Sequence, residues 1–397
     1  MRTPHPVLRM SPWRKLEALS EHSFRARIFR IAVNSASGVE PVQPFDSNFG
    51  KQEQSMETPW FLVVATCLLA ANPSIGGEAL AAPQTDAGNR PIPQIWFNMG
   101  AISTPVGHHS WDLLYYQPSP EWPSFMADVK VMGMITQALV KIPDADLAKM
   151  AARLKQEHVA LGIEMLAQAY TLPGSVPAPN CGGGIEGYLP PEQTAALAAK
   201  LKRAGADLQY LAMDEPLWFG HYYSGKNACR SSIEDVAERV ALNIHEYQKL
   251  FPHVILGEME PFPSITDQPH WQDDYREWQH AIHVKTGQPL AFTFVDINWG
   301  IQRWPASLQA FQNFSHAFQQ PFGVIYNAAP PHATDTNQQW LDDAQRNFIH
   351  IEKTLGVEPD WAMFTSWDRF PGHAITDQSG PGEDYLVKGY LRFRGEK

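Results

Sequence analysis

The chain has 397 residues, a net charge of −11 and only three cysteines. This length corresponds to one large or two ordinary domains. An acidic chain lacks the basic surface that binds nucleic-acid phosphates. No apolar run approaches the roughly eighteen residues of a membrane-spanning helix. We therefore expect neither a nucleic-acid-binding protein nor, after processing, a membrane protein.

The N-terminal 81 residues have the layout of an extension followed by a secretory signal peptide. Residues 1–55 mix Arg, Ser and Pro without a sustained period. After Met56 comes the apolar run Trp60–Ala71, and Ala79-Leu80-Ala81 matches an A-x-A cleavage site. The alternative for the apolar run is a buried N-terminal helix. The predicted segments are a non-native or disordered extension (1–55), a signal peptide (56–81) and a secreted or periplasmic catalytic barrel (82–397).

Eight strand-like runs alternate with helical patterns from Pro93 onward. This alternation is typical of βα units around a parallel sheet, and eight units in roughly 275 residues predict a single-domain (β/α)8 TIM barrel of class α/β. The first helix is short, around Glu121–Ala127, and a long loop, Ala101–Pro120, takes its place. An open doubly wound sheet is the alternative, although no glycine-rich phosphate loop follows the first strand.

Polar residues close the predicted strands, where a TIM barrel builds its active site. Side chains alternate along a strand, and a charge facing apolar helices would be costly. We therefore expect Glu258 and Glu260 to face the barrel mouth together, and Asp296 and Asn298 to do the same. Asp214 and Glu215 are adjacent, so only one can point inward from a regular strand, and the sequence leaves open which.

Acids gathered at a barrel mouth suit two kinds of chemistry. Paired carboxylates cleave glycosidic bonds, and carboxylate oxygens also bind divalent cations. Transition-metal sites usually include histidine, and none of the predicted inward strand ends is one, although His108, His109 and His221 lie in nearby loops. We predict no cofactor. The metal alternative is a lyase or isomerase with Glu164, Asp214 and Glu258 as ligands.

The tetrapeptide Met213-Asp-Glu-Pro216 resembles the strand-four signature of (β/α)8 glycoside hydrolases, in which the Glu before Pro is often the general acid/base. The seventh strand of the cellulase-like clan ends on a nucleophilic Glu, but here it ends on Asn327. The Asp-Glu pair also resembles hexosaminidases that use the substrate's acetamido group. Val254-Ile-Leu-Gly-Glu258 resembles instead the strand-five acid of amylase-like barrels. The resemblance implies the superfamily and no named family.

Together these patterns predict an exported glycoside hydrolase that binds a carbohydrate substrate. Glu215 is the expected acid, Glu258 or Glu260 the nucleophile or base, and Asp214 and Asp296 are further catalytic candidates. Flat aromatic rings contact the apolar face of a pyranose, while amides and carboxylates bind its hydroxyls. The predicted substrate-binding residues are Asn98, Trp111, Glu164, Trp218, Asn298, Trp299, Asn327, Trp367 and Asp368. A barrel that binds carbohydrate without catalysis is another alternative.

Two cysteines remain in the mature region, Cys181 after the third strand and Cys229 after the fourth. Exported chains tolerate disulfides, and these loops are neighbours on one face of the predicted barrel. We therefore predict a Cys181–Cys229 disulfide. Two free buried thiols are the alternative.

Overall fold

Eight parallel strands close into a barrel, each beside its neighbours in the order of the chain. The structure, a computed structural model, describes residues 93–98, 122–174, 180–329, 335–377 and 380–395. The strands are β1 (Gln94–Asn98), β2 (Val131–Ile135), β3 (Ala160–Met165), β4 (Leu208–Asp214), β5 (Ile255–Phe262), β6 (Phe292–Ile297), β7 (Phe322–Tyr326) and β8 (Trp361–Phe364). The predicted TIM barrel is confirmed.

Helices follow the strands and surround the barrel. The first is short, as predicted, and two turns of π-helix occur at Trp218–Tyr222 and His350–Thr354. The predicted loop Ala101–Pro120 and the predicted N-terminal segments 1–55 and 56–81 lie outside the described residues. The α-helices are α1 (Trp122–Met126), α2 (Thr136–Lys141), α3 (Asp144–Gln156), α4 (Pro191–Arg203), α5 (Ile233–Gln248), α6 (Trp271–Thr286), α7 (Trp304–Ala317), α8 (Asn337–Ile349) and α9 (Glu383–Arg394).

Each long helix buries one apolar face against the barrel. In α5, Val236, Val240 and Ile244 are fully buried, at the spacing of successive helical turns. Ser232 begins this helix, because its hydroxyl oxygen accepts a hydrogen bond from the backbone N–H of Asp235 (3.1 Å). Within the described ranges, no helix has both the length and the apolar character needed to cross a membrane.

Large aromatic side chains fill the interior of the barrel. The ring of Trp96 lies 5.4 Å from that of Phe292 and 5.3 Å from that of Phe294. Gly257 faces the same space, where a Cβ atom would lie only 2.3 Å from Phe292. The interior is therefore a packed core, and space for a ligand has to be sought at the strand ends.

Candidate active site at the barrel mouth

Inward-facing polar residues occupy the C-terminal ends of five strands, which together form the barrel mouth. Trp96, Ala212 and Phe294 belong to the interior core, and the residue two positions after each faces the same way. The five predicted residues that the structure brings to the mouth are Asn98, Glu164, Asp214, Asp296 and Asn327, at the ends of β1, β3, β4, β6 and β7.

Asp296 is held by side chains from the two following strand ends. Its carboxylate accepts hydrogen bonds from Trp367 and Asn327. The amide oxygen of Asn327 in turn accepts the indole N–H of Trp299 (2.5 Å). Burial and the charge of Glu186 raise the pKa of Asp296 to about 6, while its two hydrogen bonds oppose the rise. Asp296 is therefore mostly ionised at neutral pH.

Glu164 lies across the mouth from Asp296 in a different environment. Its Oε2 accepts a hydrogen bond from Asn98 Nδ2 (2.9 Å). Burial raises the pKa of Glu164 to about 8, the charges of Glu186 and Asp296 add to the rise, and the bond from Asn98 opposes it. Glu164 is therefore protonated over much of the neutral range.

Glu215 lies at the point where β4 turns into the next helix. Its φ of 45° is in the left-handed region, which non-glycine residues adopt infrequently. The Glu215 N–H donates to the carbonyl oxygen of Met259 on β5 (2.9 Å), and its own carbonyl oxygen accepts from the N–H of Phe219 (3.0 Å). Asp214 points inward from the pleated strand, and Glu215 also reaches the mouth because the strand has ended.

The charges around Asp214 and Glu215 disfavour ionisation of both. Burial, followed by the charges of Asp296, Glu186 and Glu164, raises the pKa of Glu215 well above its ordinary value. Burial raises the pKa of Asp214 in the same way, and here Glu164 is the carboxylate with the largest effect. The mouth therefore holds protonated and ionised carboxyl groups side by side.

Glu260 does not face the mouth, and the prediction that it does is wrong. It is fully buried, and its Oε1 and Oε2 accept hydrogen bonds from the backbone N–H groups of Leu217 (2.8 Å) and Trp218 (3.1 Å). Burial and the charges of Glu258 and Glu215 raise the pKa of Glu260, while these two backbone bonds oppose the rise. Glu260 therefore binds the start of the π-helical turn and supports the position of Glu215.

Glu258 faces the helix layer, so the prediction that it faces the mouth is also wrong. The side chain that β5 points into the barrel is that of Met259. The fully buried Glu258 carboxylate accepts hydrogen bonds from the Tyr275 hydroxyl and from Trp278 Nε1 (2.7 Å), both on α6. These two donors replace the solvent that the charge loses on burial. Glu164, Asp214 and Glu258 therefore do not form one metal site.

A disulfide joins the connections that follow β3 and β4. Cys181 and Cys229 are bonded, with their Cα atoms 4.8 Å apart, so this prediction is confirmed. Beside the disulfide, the N–H of Gly182 donates to the carbonyl oxygen of Asn227 (3.0 Å), and the Asn227 amide donates to the carbonyl oxygen of Gly183. The two connections are thus fixed to each other at several points.

This pair of connections brings Glu186, which the sequence analysis missed, to the mouth. The next residue, Gly187, has a φ of 84°, and a Cβ there would lie 3.0 Å from the carbonyl oxygen of Asp214. Gln168 contacts both connections: its N–H donates to Gly187 O (2.8 Å) and its Nε2 to Pro216 O (3.2 Å). The glycine-rich stretch between Cys181 and Glu186 could have indicated this position, because glycines allow one backbone segment to approach another closely.

The other predicted substrate-binding residues lie around the rim. Trp218 begins the π-helical turn and packs near Tyr222, with ring centroids 6.3 Å apart. Asn298 is exposed, and its side-chain oxygen accepts the N–H of Gly300 (3.1 Å). Asp368 is half-buried, and burial raises its pKa. Trp111 lies outside the described residues.

No group of three or more His, Cys, Asp or Glu side chains in the described part of the chain is arranged to hold a metal ion. The mouth carboxyls Glu164, Asp214, Glu215 and Asp296 are instead linked through their mutual repulsion. The arrangement suits proton transfer, because neighbouring carboxyls with different pKa values supply an acid and a base in one site.

The sequence matches no protein-family model and no curated protein sequence. Solved structures with a similar course of the chain include a GH5_18 protein from Streptomyces cattleya in complex with GlcNAc (10% identity, 77% of this chain and 81% of that chain, TM-score 0.45). Another is a GH10 endoxylanase from a sugarcane soil metagenome (10% identity, 75% of this chain and 97% of that chain, TM-score 0.44). A third is the carboxyl transferase domain of Rhizobium etli pyruvate carboxylase (10% identity, 76% of this chain and 43% of that chain, TM-score 0.43). These likenesses concern the fold alone.

Proposed function

We propose that this chain is a glycoside hydrolase that cleaves an oligo- or polysaccharide at the barrel mouth. The observation that carries the proposal is the pairing of Glu215 with Asp296. Among the carboxylates around Glu215, Asp296 has the largest effect on its pKa, which is raised well above its ordinary value, whereas the pKa of Asp296 itself is about 6. Neighbouring carboxyls with separated pKa values are the basis of acid/base cleavage of glycosidic bonds.

In this proposal Glu215 is the general acid that protonates the leaving oxygen, and Asp296 is the nucleophile or base. The hydrogen bonds from Trp367 and Asn327 stabilise the ionised form of Asp296. Asp214 and Glu164 bind sugar hydroxyls, and Trp299 and Trp367 provide flat apolar surface beside them. Glu258 and Glu260 support the structure behind the site.

The test is hydrolysis of a panel of polysaccharides and oligosaccharides by the full chain, with detection of new reducing ends. On the substrate so found, Glu215→Gln keeps the shape of the side chain and removes the transferable proton. We expect it to lower turnover by on the order of 10²–10⁴, and Asp296→Asn to cause a comparable loss. The anomeric configuration of the first product, followed by NMR, distinguishes retention from inversion.

Asp207→Asn is the matched control, because Asp207 is exposed at the opposite end of β4 and the change removes a carboxylate charge far from the mouth. Its turnover should equal that of the unmodified chain. Glu215→Gln with most of its activity retained would contradict the assignment and move the acid role to Asp214. Saccharide binding without cleavage would indicate a carbohydrate-binding barrel.

Export to the periplasm or the medium is part of the same proposal. The Cys181–Cys229 disulfide supports it, because disulfides persist in oxidising compartments and are rare in the cytosol. The apolar run Trp60–Ala71 and the A-x-A site that follows it support it independently.

A further inference from the structure

The connections around the mouth are poor in positive charge. The described parts of the connections that follow β3, β5 and β7 (residues 166–174, 180–190, 263–270, 327–329 and 335–336) contain no Lys or Arg, whereas those that follow β4, β6 and β8 carry Lys226, Arg230, Arg303 and Arg369. Five carboxyl groups lie at the mouth: Glu164, Glu186, Asp214, Glu215 and Asp296. Asp296 is mostly ionised at neutral pH, and the repulsion among carboxylates, which adds to burial in raising the pKa values of Glu164, Asp214 and Glu215, would be offset by a positively charged ligand.

No basic side chain in the described ranges offsets the charge of these carboxyls. The pKa values of Asp214 and Glu215 are raised by burial and by other carboxylates, with no lowering contribution from Lys or Arg. Among the basic residues of the neighbouring connections, Lys226 is exposed and the charge of Arg369 acts on Asp368. Arg303 forms an ion pair with Asp267, and Arg230 donates to the carbonyl oxygen of Ser224 (2.9 Å).

The side chain of Asp214 provides a second, independent observation. It is 7% exposed and points inward from the end of β4, in line with Tyr210 and Ala212, which border the interior core. Within the described part of the chain, no hydrogen bond or ion pair engages its carboxylate. A buried carboxyl group without a donor is costly, so a ligand that supplies charged N–H donors at this point would relieve the cost.

We infer that the saccharide recognised at this mouth carries free amino groups, so that its class is a de-N-acetylated amino-sugar oligomer or polymer. A sugar ammonium supplies three donors and one positive charge to Asp214 and its neighbours. An N-acetylated sugar offers one amide N–H and no charge, and a uronic acid adds to the repulsion. This inference rests on the proposed function for its site but concerns binding, which is measured separately from cleavage.

Isothermal titration calorimetry of the full chain tests this preference between pH 6 and pH 7. The probes are pentamers of glucosamine and of galactosamine, the same pentamers fully N-acetylated, and a pentamer of galacturonic acid. We expect one of the two amino pentamers to bind on the order of tenfold or more tightly than its N-acetylated form. The preference should shrink as salt is raised, and the uronate should not bind.

Glu186→Gln tests the site of the preference, with Asp207→Asn as the matched control. Glu186 is exposed at the mouth, so its substitution should leave the fold intact, and its charge acts on Asp296 and Glu164. We expect Glu186→Gln to reduce the ratio of amino to N-acetyl affinity severalfold. Asp207→Asn makes the same kind of carboxyl-to-amide change at the far end of the barrel and should leave the ratio unchanged.

The outcomes separate this inference from the proposed function. Equal or tighter binding of the N-acetylated forms, absence of any binding, or equal effects of Glu186→Gln and Asp207→Asn would overturn the inference. Cleavage of neutral saccharides without an amino preference would leave the glycoside hydrolase standing and remove the amino-sugar assignment. Tight binding of an amino pentamer with no cleavage of any saccharide would support the amino-sugar assignment and contradict the glycoside hydrolase.

Discussion

The buried carboxyl of Glu258 should make the protein less stable as the pH rises. Burial against α6 raises the pKa of Glu258 from its ordinary 4.5 to about 7. The folded chain therefore keeps a proton that the unfolded chain has lost. Between these two values the free energy of unfolding falls by about 1.4 kcal/mol per pH unit, a total of about 3 kcal/mol. The stabilisation is fully present below pH 4.5 and is lost as the pH rises through 7.

Glu258→Gln removes this titration and preserves the shape of the side chain. The amide can still accept the N–H of Trp278, and its NH₂ group can donate to the oxygen of Tyr275. At pH 4.5 we therefore expect the variant to be similar in stability to the unmodified chain, or somewhat less stable. At pH 8 it should be more stable, with the difference between the two proteins changing by about 3 kcal/mol over this range.

Urea denaturation with the disulfide intact, followed by tryptophan fluorescence from pH 4.5 to pH 8.5, measures this difference. The mouth carboxyls also titrate in this range, but they do so in both proteins and cancel in the comparison. Glu260 no longer faces the charge of Glu258 in the variant, and this change adds to the difference in the same direction. Glu192→Gln, on the exposed side of α4, is the control, and its curve should run parallel to that of the unmodified chain. A Glu258→Gln curve that is also parallel would refute the reasoning.

Three further predictions concern the turn at Glu215, the disulfide and export. Glu260→Ala should lower kcat by on the order of a hundredfold, because the turn loses two backbone hydrogen bonds, whereas Glu260→Gln keeps one acceptor and should retain more activity; equal losses in steady-state assays would contradict a positioning role. Replacing Cys181 and Cys229 together by Ala should cost about 3–4 kcal/mol by the chain-entropy relation, measured by urea denaturation, and an unchanged midpoint would contradict it. N-terminal sequencing of the protein from its native host should begin near Ala82; a product beginning at Met1 would contradict export.

The barrel could be predicted from the sequence because each of its eight strands has a local signal. A short β-branched or aromatic run bounded by helical periodicity predicts a strand, and the eight runs expected from Pro93 onward match eight observed strands in number and order. The short first helix, observed at Trp122–Met126, follows from the lack of a longer periodic segment there. These features depend on residues close together in the chain, so no long-range information was needed.

The orientation of β5 could not be predicted by the same means. The argument that a charge avoids the helix layer placed Glu258 and Glu260 at the mouth. In the structure both carboxyls point away from the mouth and accept hydrogen bonds there, Glu258 from Trp278 and Glu260 from the backbone N–H of Leu217. Tyr275 and Trp278 lie three residues apart on the following helix, so both donors can reach one strand position. The packing of Gly257 against Phe292 inside the barrel depends on a partner from another strand, and the sequence of β5 alone does not reveal it.

The strained turn at Glu215 is a second structural argument for its role, beside its pairing with Asp296. A non-glycine residue at positive φ costs of order 1 kcal/mol or more, and it persists only where surrounding contacts fix it. Here β5 supplies two of these contacts, through the carbonyl of Met259 and the carboxylate of Glu260, and Gln168 adds a third by binding Pro216 O. These contacts come from two different strand ends and converge on one turn. A turn held in this way keeps the Glu215 carboxyl within the influence of the charge of Asp296, as the proposed proton donor requires.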